Sequence, residues 1–184
     1  MRFGLWFEPE MVNPGTELYK NHPDWIIHTK GRESYQVRNQ YTLDLSREDV
    51  CDYIIDTLSG ILSRANIEYV KWDMNRYMSE VGSSELPADR QGEVKHRYML
   101  GLYSVLETLT QRFPNILFES CASGGGRFDA GMLYYIPQTW DERRQRRGRA
   151  ASHTVRHKHC LSVFLNGRAC FGGAESSDRK NNLL

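Results

Sequence analysis

The stretch "YVKWDMNR", residues 69–76, decides how this chain is read. An apolar, strand-like run delivers Lys71, Asp73, Asn75 and Arg76 to one rim within a few positions. Side chains alternate along an extended strand, so Lys71, Asp73 and Asn75 share a face. An ammonium close to a carboxylate favours the ionised form and lowers its pKa, the state a carboxylate nucleophile needs at neutral pH. The competing reading is an ordinary ion pair at the end of a strand.

On either side of it, strand and helix signals alternate. "RFGLWFEPE" (2–10) is an apolar run ending in acids, and "YTLDL" (41–45) is a second short run. Ser46 opens "SRED", a capping box closed by Asp49. Val50, Tyr53, Ile54, Thr57, Leu58, Ile61 and Leu62 then recur at helical spacing, which predicts an amphipathic helix over 47–65. "IEYVKWD" (67–73) is the next strand. Pro87 starts another helix with Val94, Met99, Leu102, Val105, Leu106 and Leu109 on one face, and Pro114 ends it. "NILFESC" (115–121) is a strand, a glycine loop follows, and "YYIPQTW" (134–140) reads as the last strand.

Strands separated by helices imply right-handed βαβ units and a parallel sheet. Polar residues sit at the C-terminal end of each strand: Glu8 and Glu10, Lys71 and Asp73, Glu119 and Cys121. Both a (β/α)8 barrel and a doubly wound open sheet put their active sites on that edge. The expectation is an α/β enzyme.

At 184 residues the chain is long enough for one ordinary domain. It has no apolar run of transmembrane length and no signal-peptide pattern, so a cytoplasmic location is expected. Cys51, Cys121, Cys160 and Cys170 form no CxxC pair and point to neither a zinc site nor a disulfide framework. The net charge of +1 hides an asymmetry: residues 1–140 carry 14 Lys/Arg against 19 Asp/Glu, and residues 141–184 carry 10 against 4. From 141 onward neither periodicity is visible apart from "CLSVFL". The expected division is therefore a catalytic portion over 1–140 and a basic tail over 141–184.

Other stretches carry weaker signals. "ESCASGGGRFD" (119–129) lacks the spacing and ending of a phosphate-binding loop, and its glycines fit better where backbone passes close to a ligand. Cys121 reads as a small pocket-wall thiol rather than a nucleophile. "WFEPEM" (6–11) sets Trp6 beside two acids, which suits a sugar through ring stacking and hydrogen bonding, or equally a core Trp with solvated acids. Arg38, in "YQVRNQ", is an isolated loop cation that by itself reads as solvated. "DERRQRRGR" (141–149) could be a nucleic-acid-binding arm, but it lacks aromatic or helical partners.

Together "FGLWFEPEMVNP", "HPDWIIH", "LDLSREDV", "YVKWDMNR", "RYMLGLY", "ILFESCASGGGRFD" and "YYIPQTW" resemble, in order over nearly all of residues 2–140, the bacterial α-galactosidases of glycoside hydrolase family 36. The resemblance implies a partial (β/α)8 TIM barrel, about strands 3 to 6 of 8, with parallel strands and flanking helices. It also implies retaining hydrolysis of terminal α-galactosides of the melibiose and raffinose type. Asp73 would be the nucleophile that forms a covalent galactosyl-enzyme. Lys71, Trp72, Met74 and Asn75 would line the galactose site with Cys121 and Arg38, and the glycine loop around Gly124 would let the sugar approach the backbone. No metal or organic cofactor is expected, and the full-length family is expected to form homo-oligomers.

The family's acid/base lies in a continuation PQTW-TSD, whereas this chain reads PQTW-DER and puts Arg143 at that aspartate's position. Arginine cannot give up a proton near neutral pH. Back-translation offers a reason. If each codon from 141 is read from its second base, the tail is compatible with a string beginning "TSDDSDAVERLRIQYG", which resembles the family's continuation. One extra base beside the Trp140 codon would produce the change. The tail is therefore expected to be out-of-frame translation, and a chain with one catalytic carboxylate and half a barrel is expected to be inactive and prone to associate through two bare sheet edges. Two alternatives remain at this stage: a basic-tailed nucleic-acid-binding protein, and a related glycosidase for a different sugar.

Overall fold

A computed structural model describes residues 3–122, 127–139 and the backbone of 160–162. Its organising element is the strand Tyr69–Asp73, whose alternation divides the molecule into two faces. Val70 and Trp72 enter the hydrophobic core beneath the sheet. Lys71 and Asp73 lie on the opposite, barrel-interior face, because neighbouring residues of a strand point to opposite sides.

The elements in chain order are β1 (Gly4–Phe7), β2 (Met11–Val12), α1 (Glu17–Asn21), β3 (Tyr41–Thr42), α2 (Glu48–Leu62), β4 (Tyr69–Asp73), α3 (Val94–Arg112), β5 (Leu117–Cys121), α4 (Ala130–Tyr135), β6 (Gln138–Thr139) and β7 (Cys160–Ser162), with short 3-10 turns at Pro23–Trp25 and Ala88–Glu93. The main sheet runs β6-β5-β4-β1-β7, and every pairing in it is parallel. Helices α2 and α3 connect β1 to β4 and β4 to β5, so the expected parallel sheet with flanking helices is present. Register aligns Trp6, Lys71, Glu119 and Gln138 in one row, and Asp73 with Cys121 in the next.

The helices follow from their buried stripes. In α2, Val50, Cys51, Ile54, Ile55, Leu58 and Leu62 are buried, and in α3, Val94, Tyr98, Leu102, Val105, Leu106 and Leu109. Each fully buried aliphatic or aromatic side chain contributes about 1.5–3 kcal/mol of transfer free energy. Gly101 lets α3 approach the preceding loop: a Cβ there would lie 1.9 Å from the Leu45 carbonyl oxygen.

The short run "YTLDL" lies outside the main sheet. Its residues Tyr41–Thr42 pair antiparallel with β2, and the Leu43 and Asp44 amides bond to the carbonyls of Glu10 and Trp25. Three expectations are corrected. The capping box at Ser46 does not form, because both the Ser46 amide and hydroxyl go to Asp44 Oδ1, at 3.1 and 2.6 Å. Asp44 thus outcompetes Asp49 for the serine, and α2 starts at Glu48 with Arg47 as its N-cap residue. Among the described residues of "YYIPQTW" only Gln138–Thr139 are strand, since Asp129 caps α4 through the Met132 amide at 3.0 Å and draws Tyr134 and Tyr135 into helix. The outer edge of β1 is not bare: β7, inside "CLSVFL", pairs with it from Gly4↔Cys160 to Trp6↔Ser162. Residues 140–159 and 163–184, with Asp141, Glu142 and Arg143 among them, lie outside the described residues, as do 123–126.

Candidate active site

β4 ends with Asp73 buried on the barrel-interior face, 6% exposed. Its two carboxylate oxygens differ. Oδ2 accepts the indole N–H of Trp6, from neighbouring β1, at 2.9 Å. Oδ1 is buried with no hydrogen-bond partner among the described residues. Buried polar atoms are nearly always paired, so this oxygen, at the C-terminal end of a parallel strand, keeps a lone pair that no described residue uses.

Around Asp73 the register row supplies polar groups. Lys71 Nζ lies 3.8 Å from Glu119 Oε1, and Gln138 Nε2 donates to Glu119 Oε2 at 2.7 Å. Glu119 is the direct register partner of Lys71 on β5, and a side chain on a strand meets its cross-strand neighbour closely, which accounts for this pairing. Cys121 is buried and sits beside Asp73 in register, on the same face. The Met74 amide bonds to the Cys121 carbonyl at 2.9 Å, which carries the pairing one residue beyond the strands.

Neither acid of "WFEPEM" is solvated, so that alternative falls. Glu8 is buried and accepts from Gln40 Nε2 at 3.0 Å and Asn75 Nδ2 at 2.9 Å. Asn75 is thereby fixed at the rim by a carboxylate from β1's end. Glu10 is fully buried. It accepts from Trp72 Nε1 at 2.7 Å and from the Tyr98 hydroxyl, and lies 2.8 Å from Arg127. Burial, reinforced by Glu10, pushes the Tyr98 phenol well above its ordinary pKa. Burial works against the charge of Arg127, but the Glu10 carboxylate outweighs it and the guanidinium sits above its usual value.

Arg38 occupies the tip of a tight hairpin closed by reciprocal Val37–Gln40 backbone bonds. It is exposed and left-handed, with φ of 56°, and Asn39 follows at 60°. A non-glycine residue held there carries strain, which persists only where surrounding contacts impose it. Those contacts are present: Arg76 donates to the carbonyls of Gln40, at 2.9 Å, and Tyr35, and Asn13 Nδ2 donates to the Asn39 carbonyl at 3.1 Å. Burial lowers the Arg76 pKa, because desolvation disfavours the charged guanidinium.

The structure thus brings Trp6, Lys71, Asp73 and Cys121 together on one face, with Asn75 held beside them at the rim. Trp72 does not join them. It is fully buried on the helix side of the sheet with its N–H on Glu10, a correction that follows from the alternation of β4. Met74 is buried against Met11 and Ala122. Gly124 and Arg143 fall outside the described residues. Glu8 and Glu119 stand on the strand-end edge the sequence points to, without a role assigned there, and Gln138 carries no signal in the sequence. No group of three or more His, Cys, Asp or Glu side chains among the described residues is arranged to hold a metal.

The Melibiase family model matches residues 1–146. Alpha-galactosidase AgaA of Geobacillus stearothermophilus is 65% identical over 140 residues, 76% of this chain and 19% of that protein. Alpha-galactosidase Mel36A of Lactobacillus acidophilus is 53% identical over 140 residues, with the same two shares. Among solved structures, glycoside hydrolase family 36 AgaA variants from G. stearothermophilus in complex with raffinose and with 1-deoxygalactonojirimycin superpose with TM-scores of 0.75 at 64% identity, over 77% of this chain and 20% of theirs. The chain spans about a fifth of the length of the curated relatives it matches.

Proposed function

Because this chain belongs to the Melibiase family, the α-galactosidases of glycoside hydrolase family 36, we propose that it carries the nucleophile and part of the galactose site of a retaining α-galactosidase. Asp73 attacks the anomeric carbon of a terminal α-galactoside through Oδ1. The glycosidic C–O bond breaks, its electron pair leaves with the aglycone oxygen, and a galactosyl ester forms on Asp73. Water then cleaves that ester with net retention. Lys71, Asn75, Cys121, Arg38 and the backbone near Gly124 contact the sugar hydroxyls, and Trp6 orients the carboxylate while presenting its ring. In the intact family enzyme the substrates are terminal α-galactosides such as melibiose and raffinose, in keeping with the raffinose complex of the AgaA relative; their sugar leaving groups need protonation, so this chain does not turn them over. The chemistry calls for no metal or organic cofactor.

The observation that carries this reading is the asymmetry of Asp73, one oxygen held by Trp6 and the other buried and unpaired. A nucleophile needs a lone pair that is oriented and not already spent.

Retaining hydrolysis also requires a second carboxyl about 5–5.5 Å from the first to protonate the leaving oxygen. With Arg143 at the family's acid/base position, this chain performs the first step only on leaving groups that depart unprotonated. Residues 141–184 are read as out-of-frame translation, in line with relatives that align over 140 residues. Resequencing the DNA beside the Trp140 codon tests this directly: an extra base supports it, and an intact frame in independent isolates overturns it. Among the described residues no helix is long and apolar enough to cross a membrane; a cytoplasmic location and a homo-oligomeric full-length enzyme complete the proposal.

The deciding experiment uses an activated α-galactosyl fluoride designed to leave a slowly hydrolysed ester. Intact mass should show one galactosyl adduct, mapped to the peptide containing Asp73 and absent in Asp73→Asn. Galactose, and not glucose, should slow the labelling. An adduct on any other side chain, or equal labelling of Asp73→Asn, would sink the reading.

A further inference from the structure

Three side chains converge on a single buried carboxylate that does not face the sugar site. Glu10, fully buried just past β1, accepts the Trp72 indole N–H from β4 at 2.7 Å and the Tyr98 hydroxyl from α3. It also pairs with Arg127 at 2.8 Å, the first described residue after the glycine run. For stability alone this is a poor arrangement, since well-packed apolar groups commonly do as well as a buried ion pair. What a buried carboxylate supplies, and apolar packing does not, is direction. Each donor must arrive along a narrow range of angles.

Two of those donors lead to the reacting group and its surroundings. Trp72 immediately precedes Asp73, on the opposite face of the same strand. Its one N–H is spent on Glu10, which fixes the ring and with it the end of β4 from behind. Arg127 fixes the point where the chain leaves the glycine run. We propose that Glu10 is a positioning residue: through Trp72 it sets where the Asp73 carboxylate stands, and through Arg127 it anchors the exit of the glycine loop, without itself touching substrate. The inference rests on the reading of Asp73 as nucleophile.

A merely structural ion pair and a positioning device respond differently when both charges are removed together. In the full chain, Glu10→Leu alone leaves Arg127 buried and uncompensated and should lower Tm sharply. Glu10→Leu combined with Arg127→Met removes both charges together with the acceptor for the Trp72 N–H, and should recover part of that loss. The discriminating readout is the Trp6 indole N–H resonance, which reports the bond from Trp6 to Asp73 and requires no ligand. In the folded double variant it should move toward the position of a free indole. Calorimetric affinity for 1-deoxygalactonojirimycin should weaken tenfold or more. A folded double variant with both the Trp6 resonance and the affinity of the parent chain overturns the proposal.

Should the double variant fail to fold, Trp72→Phe decides. It keeps the Glu10–Arg127 and Glu10–Tyr98 contacts and breaks only the link to β4, so the Trp6 resonance should again move; an unchanged resonance overturns the proposal. Failure of the parent chain to bind the iminosugar would count against the α-galactosidase reading, while the Trp6 resonance would still decide the role of Glu10.

Discussion

The indole N–H of Trp6 on β1 donates to Oδ2 of Asp73 on β4, at 2.9 Å, so the carboxylate is held by a neighbouring strand rather than by the strand that bears it. The relationship follows from register: Trp6 aligns with Lys71, and Asp73 lies two residues further along on the same face. A carboxylate with one oxygen tethered this way keeps its plane fixed and leaves the second oxygen for chemistry.

Trp6→Phe should therefore slow galactosyl labelling of Asp73. Hydrogen bonds to charged groups contribute about 1.5–3 kcal/mol, which corresponds to roughly 10–100-fold in rate. Trp6 is only half-buried and stands outside the main hydrophobic cluster, so Tm should change little. Time-resolved mass spectrometry of the adduct, beside a thermal melt, checks both halves.

Arg38→Gly separates fold from function at the hairpin tip. Glycine adopts the left-handed φ of 56° without the steric penalty an arginine meets there. Relief of that strain should stabilise the chain by about 1 kcal/mol. If the guanidinium contacts the sugar, affinity for 1-deoxygalactonojirimycin should fall in the same variant. Urea unfolding and calorimetry on one preparation give the two numbers, and a loss of both stability and affinity would contradict the account of the turn.

Gly101→Ala tests the close approach of α3 to the loop before α2. Its Cβ would meet the Leu45 carbonyl oxygen at 1.9 Å, a contact with backbone that no rotamer change relieves. Helix propensity favours alanine by about 1 kcal/mol, yet overpacking of this kind costs typically 1–3 kcal/mol and here should exceed the gain. The variant should unfold at lower urea than the parent.

Acid should weaken a surface brace at the start of α2. The hydrogen bonds from Arg47, at 3.0 and 2.8 Å, hold the Asp49 carboxyl below its ordinary 3.8. A carboxylate with a depressed native pKa contributes stability that is fully present above its unfolded value and is lost as pH falls through the native one. The loss therefore begins near pH 4 and continues below it. Asp49 is about half exposed, so solvent screening keeps the effect under about 1 kcal/mol. Asp49→Asn should flatten this part of the acid limb in urea titrations between pH 5 and pH 2.

Much of the sheet was legible because its strands announce themselves. β1, β4 and β5 each combine apolar residues with polar ones at the C-terminal end, and α2 and α3 carry long helical stripes. The short elements were not legible. "YTLDL" alternates like a sheet strand, but its partners are the backbone groups of Glu10 and Trp25, which no local pattern reveals. Ser46 matches a capping box, and only the proximity of Asp44 shows why it does not act as one. In "YYIPQTW" the aromatic run suggests strand, while the Asp129 cap, bonded also to Tyr103 at 2.8 Å, settles it as helix up to Tyr135. At the site, Asp73 and Cys121 were readable from their strand ends. The buried bracing of Glu8 by Asn75 and of Glu10 by Trp72 was not, because those pairs lie 67 and 62 residues apart.

The opposed placement of Trp72 and Asp73 makes β4 intolerant of changes in length. Inserting or deleting one residue between Tyr69 and Asp73 would exchange the two faces: the indole would swing into the polar interior and the carboxylate would be driven among α2 and α3. Single substitutions at Tyr69 or Val70 can be absorbed by repacking, whereas a one-codon indel has no such escape. A deep scan of substitutions, insertions and deletions should therefore find Tyr69 and Val70 open to many replacements and the strand closed to every one-residue shift.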